Sequence, residues 1–206
     1  VYVTGQPLFE DNYILDNEIN LRVRNELDLD KYDKLIVYLE QPGLNEINNV
    51  ENEMIKIAKE NPKWLFVFKQ HPNQTNAFRN NVSKNIISLR KYPLKYLLNN
   101  CDLAITRHST AGLEAVLLDK PLINLGLIET SNEFIAVENF DYSSFGISYK
   151  VTKLEDLSTA INTCLDNNNE IAIKLKYNRT LFKNAPYVID NMYQVLLDAW
   201  NCGIRG

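Results

Sequence analysis

Two rhythms of apolar and polar positions alternate along this chain of 206 residues. Short, nearly continuous apolar runs read as strands buried on both faces. The clearest are Lys34 to Glu40, Trp64 to Lys69 and Asp102 to Thr106; shorter ones lie at Val1 to Thr4, Asn85 to Leu89, Pro121 to Leu125 and Ile147 to Val151. Between them the apolar spacing turns helical. Ile19, Leu21, Val23 and Leu27 mark a weak helix from Asn17 to Leu27, and Ile47, Val50, Met54, Ile55 and Ala58 a stronger one from Asn45 to Glu60. Further helices are predicted from Pro93 to about Asn100, Thr110 to Asp119, Leu154 to Leu165, Glu170 to Phe182 and Tyr187 to Trp200. Gly5-Gln6-Pro7, Gln41-Pro42-Gly43 and Asn61-Pro62 are the stops. Asn73 to Asn81 reads as a loop or short helix, and Glu129 to Ser144 as irregular. Strands alternating with helices through short loops imply right-handed crossovers. The expected class is α/β, with an open, mostly parallel Rossmann-like sheet and helices on both faces.

Composition narrows the class. Hydrophobic residues make up 45% and charged residues 23%, ordinary for a globular protein, and no run approaches a membrane span. Val1-Tyr2-Val3-Thr4 lacks the pattern of a secretory signal, and the chain reads as cut from something longer. Cys101, Cys164 and Cys202 are odd in number and widely spaced. This argues against a disulfide framework or zinc site and suits a cytoplasmic protein. The net charge is −4, which speaks against nucleic acid as a partner. The charge is uneven, however. Lys63 to Arg107 holds eight basic residues and one acid, net +7, against −11 for the rest. Such a positive middle can focus an anionic ligand, although many of these charges are ordinary solvated surface.

Two strand endings carry the candidate chemistry, since ligands of open α/β sheets bind at the carboxyl ends of strands. One passes from Thr106 through Arg107-His108-Ser109-Thr110 into a helix. Ser109 or Thr110 can cap that helix, leaving the N–H groups of Ala111, Gly112 and Leu113 to face an anion. Gly112 admits a close approach by ligand or backbone, and Arg107 and His108 add charge and donors. The plain alternative is a well-capped helix that binds nothing. The other ending is His71-Pro72. Geometry before a proline holds His71 extended, where it can donate to a phosphate or protonate a leaving oxygen; Pro72 offers a flat face for a base. Glu114, one turn into the helix, can accept ribose hydroxyls or simply interact with the helix dipole. Gln6 and Gln41 sit in strand-end turns that can line the same cleft. No glycine-rich dinucleotide fingerprint, Walker loop, metal-ligand cluster or nucleophile elbow is present.

In order and spacing, Gly5-Gln6-Pro7-Leu8-Phe9, Leu35 to Pro42, Phe68 to Pro72 and Asp102 to Asn124 resemble segments of the C-terminal, donor-binding half of GT-B glycosyltransferases. The likeness extends from about Val1 to Asp166 and is strongest to bacterial capsule and teichoic-acid enzymes. These include CDP-glycerol glycerophosphotransferases and the CMP-sugar-using sialyl- and Kdo-transferases. Two departures stand out: Thr106 occupies the place of the first glutamate in the paired-glutamate motif of many retaining enzymes, and Arg107-His108 replaces the usual Asp-Tyr of the teichoic-acid enzymes.

The resemblance implies a single nucleotide-donor-binding domain over 1–206, its core about 1–166 and its C-terminal helices at 167–206, with the N-terminal acceptor domain absent. It implies a cytoplasmic glycosyltransferase, at the inner face of the cell membrane in its full-length form, that moves a sugar or polyol phosphate from a CMP- or CDP-linked donor to a cell-surface polysaccharide or glycolipid. His71 would be catalytic. Pro72, Arg107, His108, Ser109, Thr110, Gly112, Glu114, Gln41 and Gln6 would hold the donor, without metal or other cofactor. Two alternatives are a UDP-GlcNAc 2-epimerase-like enzyme and a non-catalytic α/β interaction module.

Overall fold

In the computed structural model the described residues are 15–40, 47–71, 83–107, 109–126 and 141–182. The expected strand at Val1 to Thr4, the turns with Gln6 and Gln41, Pro72, the stretch Asn73 to Asn81, His108, most of Glu129 to Ser144 and the helix Tyr187 to Trp200 lie outside them.

Six parallel strands form one sheet: β1 Lys34–Leu39, β2 Trp64–Lys69, β3 Ile86–Leu89, β4 Leu103–Thr106, β5 Leu122–Leu125 and β6 Tyr149–Val151, in the order β3-β2-β1-β4-β5-β6. The helices are α1 Asn17–Glu26, α2 Ile47–Glu60, α3 Leu94–Asn100, α4 Ala111–Leu117, α5 Leu157–Leu165 and α6 Glu170–Phe182. Every expected strand and helix within the described residues is present, with ends shifted by a few residues. The helix expected from Leu154 opens as a 3-10 turn, Leu154–Asp156, and a further 3-10 turn at Leu29–Lys31 had no signal in the apolar spacing.

Because β1 is central, its side chains alternate between two cores. Ile36 and Tyr38 join Phe66, Phe68 and Ile105 under α2 and α5, where Val50, Met54, Ile57, Leu157 and Ile161 close the layer. Leu35, Val37 and Leu39 join Val67, Ala104 and Leu122 under α1, α3 and α4, against Val23, Leu97, Leu98 and Val116. Each fully buried aliphatic or aromatic side chain contributes about 1.5–3 kcal/mol, so both faces stabilise the sheet.

Polar side chains fasten the amino edge. Asp102 accepts the Leu35 N–H at 2.8 Å and pairs with Lys34 at 3.2 Å, bracing β4 to β1. Asn85 donates to the carbonyls of Ala58, Asn61 and Trp64 at 2.8, 3.1 and 2.9 Å, pinning the α2–β2 turn to the start of β3. At the other end of the fold α6 reaches two distant points. The buried Arg179 guanidinium lies 3.4 Å from Asp119, the left-handed residue (φ 59°) just past α4, and Asn178 donates to the Gly146 carbonyl at 2.8 Å.

Candidate functional site

The strand order places a topological switch between β1 and β4. The chain leaves β1 for β2 and β3 on one side, then returns to build β4, β5 and β6 on the other. At such a point the flanking connections part and open a crevice beyond the carboxyl ends of the strands.

Register shows which residues meet there. Leu39 is level with Lys69 on one side and Thr106 on the other, and Thr106 with Asn124. One step further along the chain come Gln70, Glu40 and Arg107. All of these polar residues are buried, Glu40 at 3% exposure, Arg107 at 6% and Lys69 at 9%. The apolar strands thus end in a buried polar layer.

Alternation divides that layer. Glu40 and Arg107 follow the Tyr38–Ile105 side, the side of α2 and α5, and adjacent parallel strands are about 4.8 Å apart. Tyr38 feels both charges: burial raises its phenol, Arg107 opposes the rise and Glu40 adds to it. The Arg107 charge is therefore held inside the sheet edge, on the side opposite α4. Its carbonyl accepts from Asn124 Nδ2. Lys69 follows the other side. Its Nζ donates to the carbonyls of Arg90 at 2.6 Å and Gln70 at 3.1 Å, and burial lowers its pKa while Glu40 pulls it back up.

His71 follows Gln70 directly and is half-buried. With β1 between their strands, the exits of β2 and β4 are about 10 Å apart, two strand spacings.

The turn into α4 settles which of the two expected residues is the cap and departs from expectation in its backbone amides. Ser109, not Thr110, caps the helix: Ser109 Oγ accepts the Ala111 N–H at 3.3 Å, whereas Thr110 has helical backbone angles and makes no side-chain cap bond. Nor are the helix's first N–H groups free. Gly112 N–H donates to Ser109 O at 2.8 Å and Leu113 N–H to Thr110 O at 3.0 Å, the tight i to i−3 pattern that satisfies a helix start from within. Gly112 does permit a close approach, but by Tyr142. A Cβ at Gly112 would meet Tyr142 Cε2 and Thr106 Cγ2, each at 2.9 Å. What the turn offers a ligand is side chains, Ser109 half-buried and Thr110 exposed. Glu114 is half-buried in the first turn, and burial raises its pKa.

Sequence reasoning thus brought His71, Ser109, Thr110 and Glu114 to one edge. Glu40, Lys69, Gln70, Asn124 and Tyr142, which the structure also places at this edge, were left out of the expected site. The first four share a legible signal, a polar residue closing an apolar strand; Tyr142, in an irregular stretch, carried none. Among the described residues no group of three or more His, Cys, Asp or Glu is placed to hold a metal ion, and no helix is long and apolar enough to cross a membrane.

Known proteins resemble this chain in two ways. Residues 45–129, which run from before α2 to just beyond β5, match a family model described as "Capsule polysaccharide biosynthesis protein". Protein FixF of Sinorhizobium fredii is 32% identical over 99 residues, 44% of this chain and 23% of that protein. Among solved structures, Anabaena HepE in complex with UDP and glucose superposes with a TM-score of 0.59 at 12% identity, over 93% of this chain and 54% of that one. The spinosyn rhamnosyltransferase complexed with spinosyn aglycone gives 0.57 at 18% identity, over 95% and 50%. The chain spans about half the length of these solved relatives and a quarter of FixF. The described sheet and helices have the Rossmann-like fold found in GT-B glycosyltransferases.

Proposed function

We propose that this chain is the nucleotide-donor-binding domain of a glycosyltransferase that builds a cell-surface polysaccharide or glycolipid. The observation that carries the reading is the buried polar layer at the carboxyl ends of β2, β1, β4 and β5, around the β1–β4 switch, with His71 and the Ser109–Thr110 turn at the same edge. The capsule-biosynthesis match over 45–129 supports it, because that match includes β2, His71 and the whole β4–α4 turn.

In this reading the donor is CMP- or CDP-linked. Ser109 and Thr110 meet its phosphate through their hydroxyls, since the first backbone N–H groups of α4 already have internal acceptors. His71 contacts the phosphate from the β2 side and eases departure of the nucleotide. Glu114 faces the ribose, and Pro72, Gln6, Gln41 and His108, outside the described residues, keep the donor-binding roles that the resemblance implies. Arg107 acts from within the sheet edge, as a fixed positive charge that stabilises the departing phosphate. In the whole enzyme the bond between the activated carbon and the nucleotide phosphate breaks. A new bond forms to an acceptor hydroxyl, whose proton goes to a base in a second domain. Fixed positive charge and hydroxyl donors suffice for this without a metal. The enzyme works on the cytoplasmic side of the membrane.

Calorimetric titration with CMP, CDP and UDP tests the reading. Ligand at a hundredfold excess over its Kd should stabilise the chain by about 2.7 kcal/mol, and His71→Ala should cost about 1–3 kcal/mol of binding while leaving the fold intact. If no nucleotide shifts the melting temperature, the domain is an interaction module. A clear preference for UDP would favour the epimerase-like alternative.

A further inference from the structure

Tyr142 is 1% exposed and reaches the site from the 141–147 segment, far along the chain from β4. Its hydroxyl donates to the Ser109 carbonyl at 2.6 Å. Its ring fills the notch that Gly112 leaves in α4, with Thr106 on the other side of that notch. Thr106 Oγ1 in turn accepts the Ser109 N–H at 3.3 Å. Ser109 is therefore held at its amide by β4, at its carbonyl by Tyr142 and at its hydroxyl by the start of α4.

The segment that carries Tyr142 is itself braced. Asp141 accepts the Ser143 N–H at 2.9 Å and pairs with Lys150 of β6 at 2.7 Å. Gly146, at a φ of 67° that side chains rarely adopt, has its carbonyl held by Asn178 of α6. A ring delivered by so many supports is in a position to set the shape of what it touches.

We propose that Tyr142 is a positioning residue for the donor site. Its ring in the Gly112 notch and its hydroxyl on the Ser109 carbonyl hold the turn after β4 in the shape that presents Ser109 and Thr110 to the donor's phosphate. The inference rests on the donor-binding reading and deepens it. A residue that only packed the core would affect every ligand through stability alone. A residue that positions the phosphate turn affects phosphate-bearing ligands selectively.

The test is Tyr142→Phe, which keeps the ring and removes the hydroxyl. Calorimetry with CDP and with cytidine (or UDP and uridine, whichever nucleotide binds the wild type more tightly) should show diphosphate affinity lower by up to about fivefold, since at most the worth of the one hydrogen bond that orders the turn is lost, and nucleoside affinity unchanged. The Ser109 and Ala111 amides should also exchange faster. Unchanged diphosphate affinity, or equal loss for diphosphate and nucleoside, overturns the proposal. Gly112→Ala displaces the ring while keeping the hydroxyl, and should reproduce the selective loss. Because both variants loosen the same turn through the same side chain, the double variant should lose less than the sum of the two; full additivity overturns the shared mechanism. Wild-type protein that binds neither CDP nor UDP overturns the donor-binding reading instead. The positioning claim is then decided by amide exchange, and unaltered exchange in Tyr142→Phe overturns it.

Discussion

The exits of β2 and β4 reach the same edge by different means. At β2 the anchor is local in the fold: Lys69, the last residue of the strand, turns its ammonium onto the carbonyls of Gln70 and Arg90, joining the exits of two neighbouring strands. At β4 the anchor comes from elsewhere, with Tyr142 arriving over thirty residues later to hold Ser109 and fill the Gly112 notch. The first arrangement draws its strength from a buried charge, the second from shape. A rigid exit would suit the role proposed for His71, while an exit held by a neighbour can be adjusted by that neighbour.

The sharpest way to break this contrast is Lys69→Ala. The buried Gln70 carbonyl and the part-buried Arg90 carbonyl lose a charged donor, an effect partly offset because the amine is costly to bury. The expected destabilisation is about 2–3 kcal/mol by thermal or denaturant unfolding, with nucleotide affinity falling because His71 loses its footing. Stability within ~0.5 kcal/mol of wild type would mean that the lysine merely fills space.

Ser109→Ala combined with Thr110→Ala probes the other exit. Cap loss ordinarily costs about 1 kcal/mol. Here Thr110 makes no cap bond and that of Ser109 is long, so about 0.5 kcal/mol is expected, together with at least a tenfold loss of diphosphate affinity. A large stability loss with intact affinity would return the turn to a purely structural role.

The smallest effect concerns Glu114. Burial raises its carboxyl pKa in the folded state, so the native chain holds the proton more tightly than the unfolded one. Stability is then lost as pH rises from the usual carboxylate value through the folded value. Glu114→Gln should accordingly raise the melting temperature slightly at pH 7, and the difference should vanish in acid. A carboxylate kept at a cost at this edge is consistent with the donor-binding role proposed for Glu114.

Much of this was legible along the chain because burial on both sheet faces leaves a coarse imprint. Runs such as Leu35 to Leu39 and Leu65 to Phe68 have little use outside a covered parallel strand, and an abrupt change to Glu40 or to Lys69-Gln70-His71 marks where the cover ends. The sequence implied right-handed crossovers and a parallel sheet, but the ordering of strands into β3-β2-β1-β4-β5-β6 came from the structure alone. What could not be read were the long-range fits. Nothing near Gly112 says that its missing Cβ is answered by an aromatic ring at 142, and nothing near Arg107 says that its side chain lies on the α2 side of the edge. Capping chemistry misled for a related reason. Ser-Thr before a helix indicates that a cap exists, but the choice between them, and whether the first amides stay open, depends on how tightly the first turn winds.

The grip of α6 gives the C-terminal part of the described fold a standing that its distance from the crevice conceals. Through Arg179 it steadies the far end of α4, and through Asn178 the segment that delivers Tyr142. A chain ended after α5 would keep every side chain assigned to the donor here and yet lose the scaffolding behind them. For this fold, the shortest piece that retains the residues proposed to face the donor is shorter than the shortest piece that can aim them.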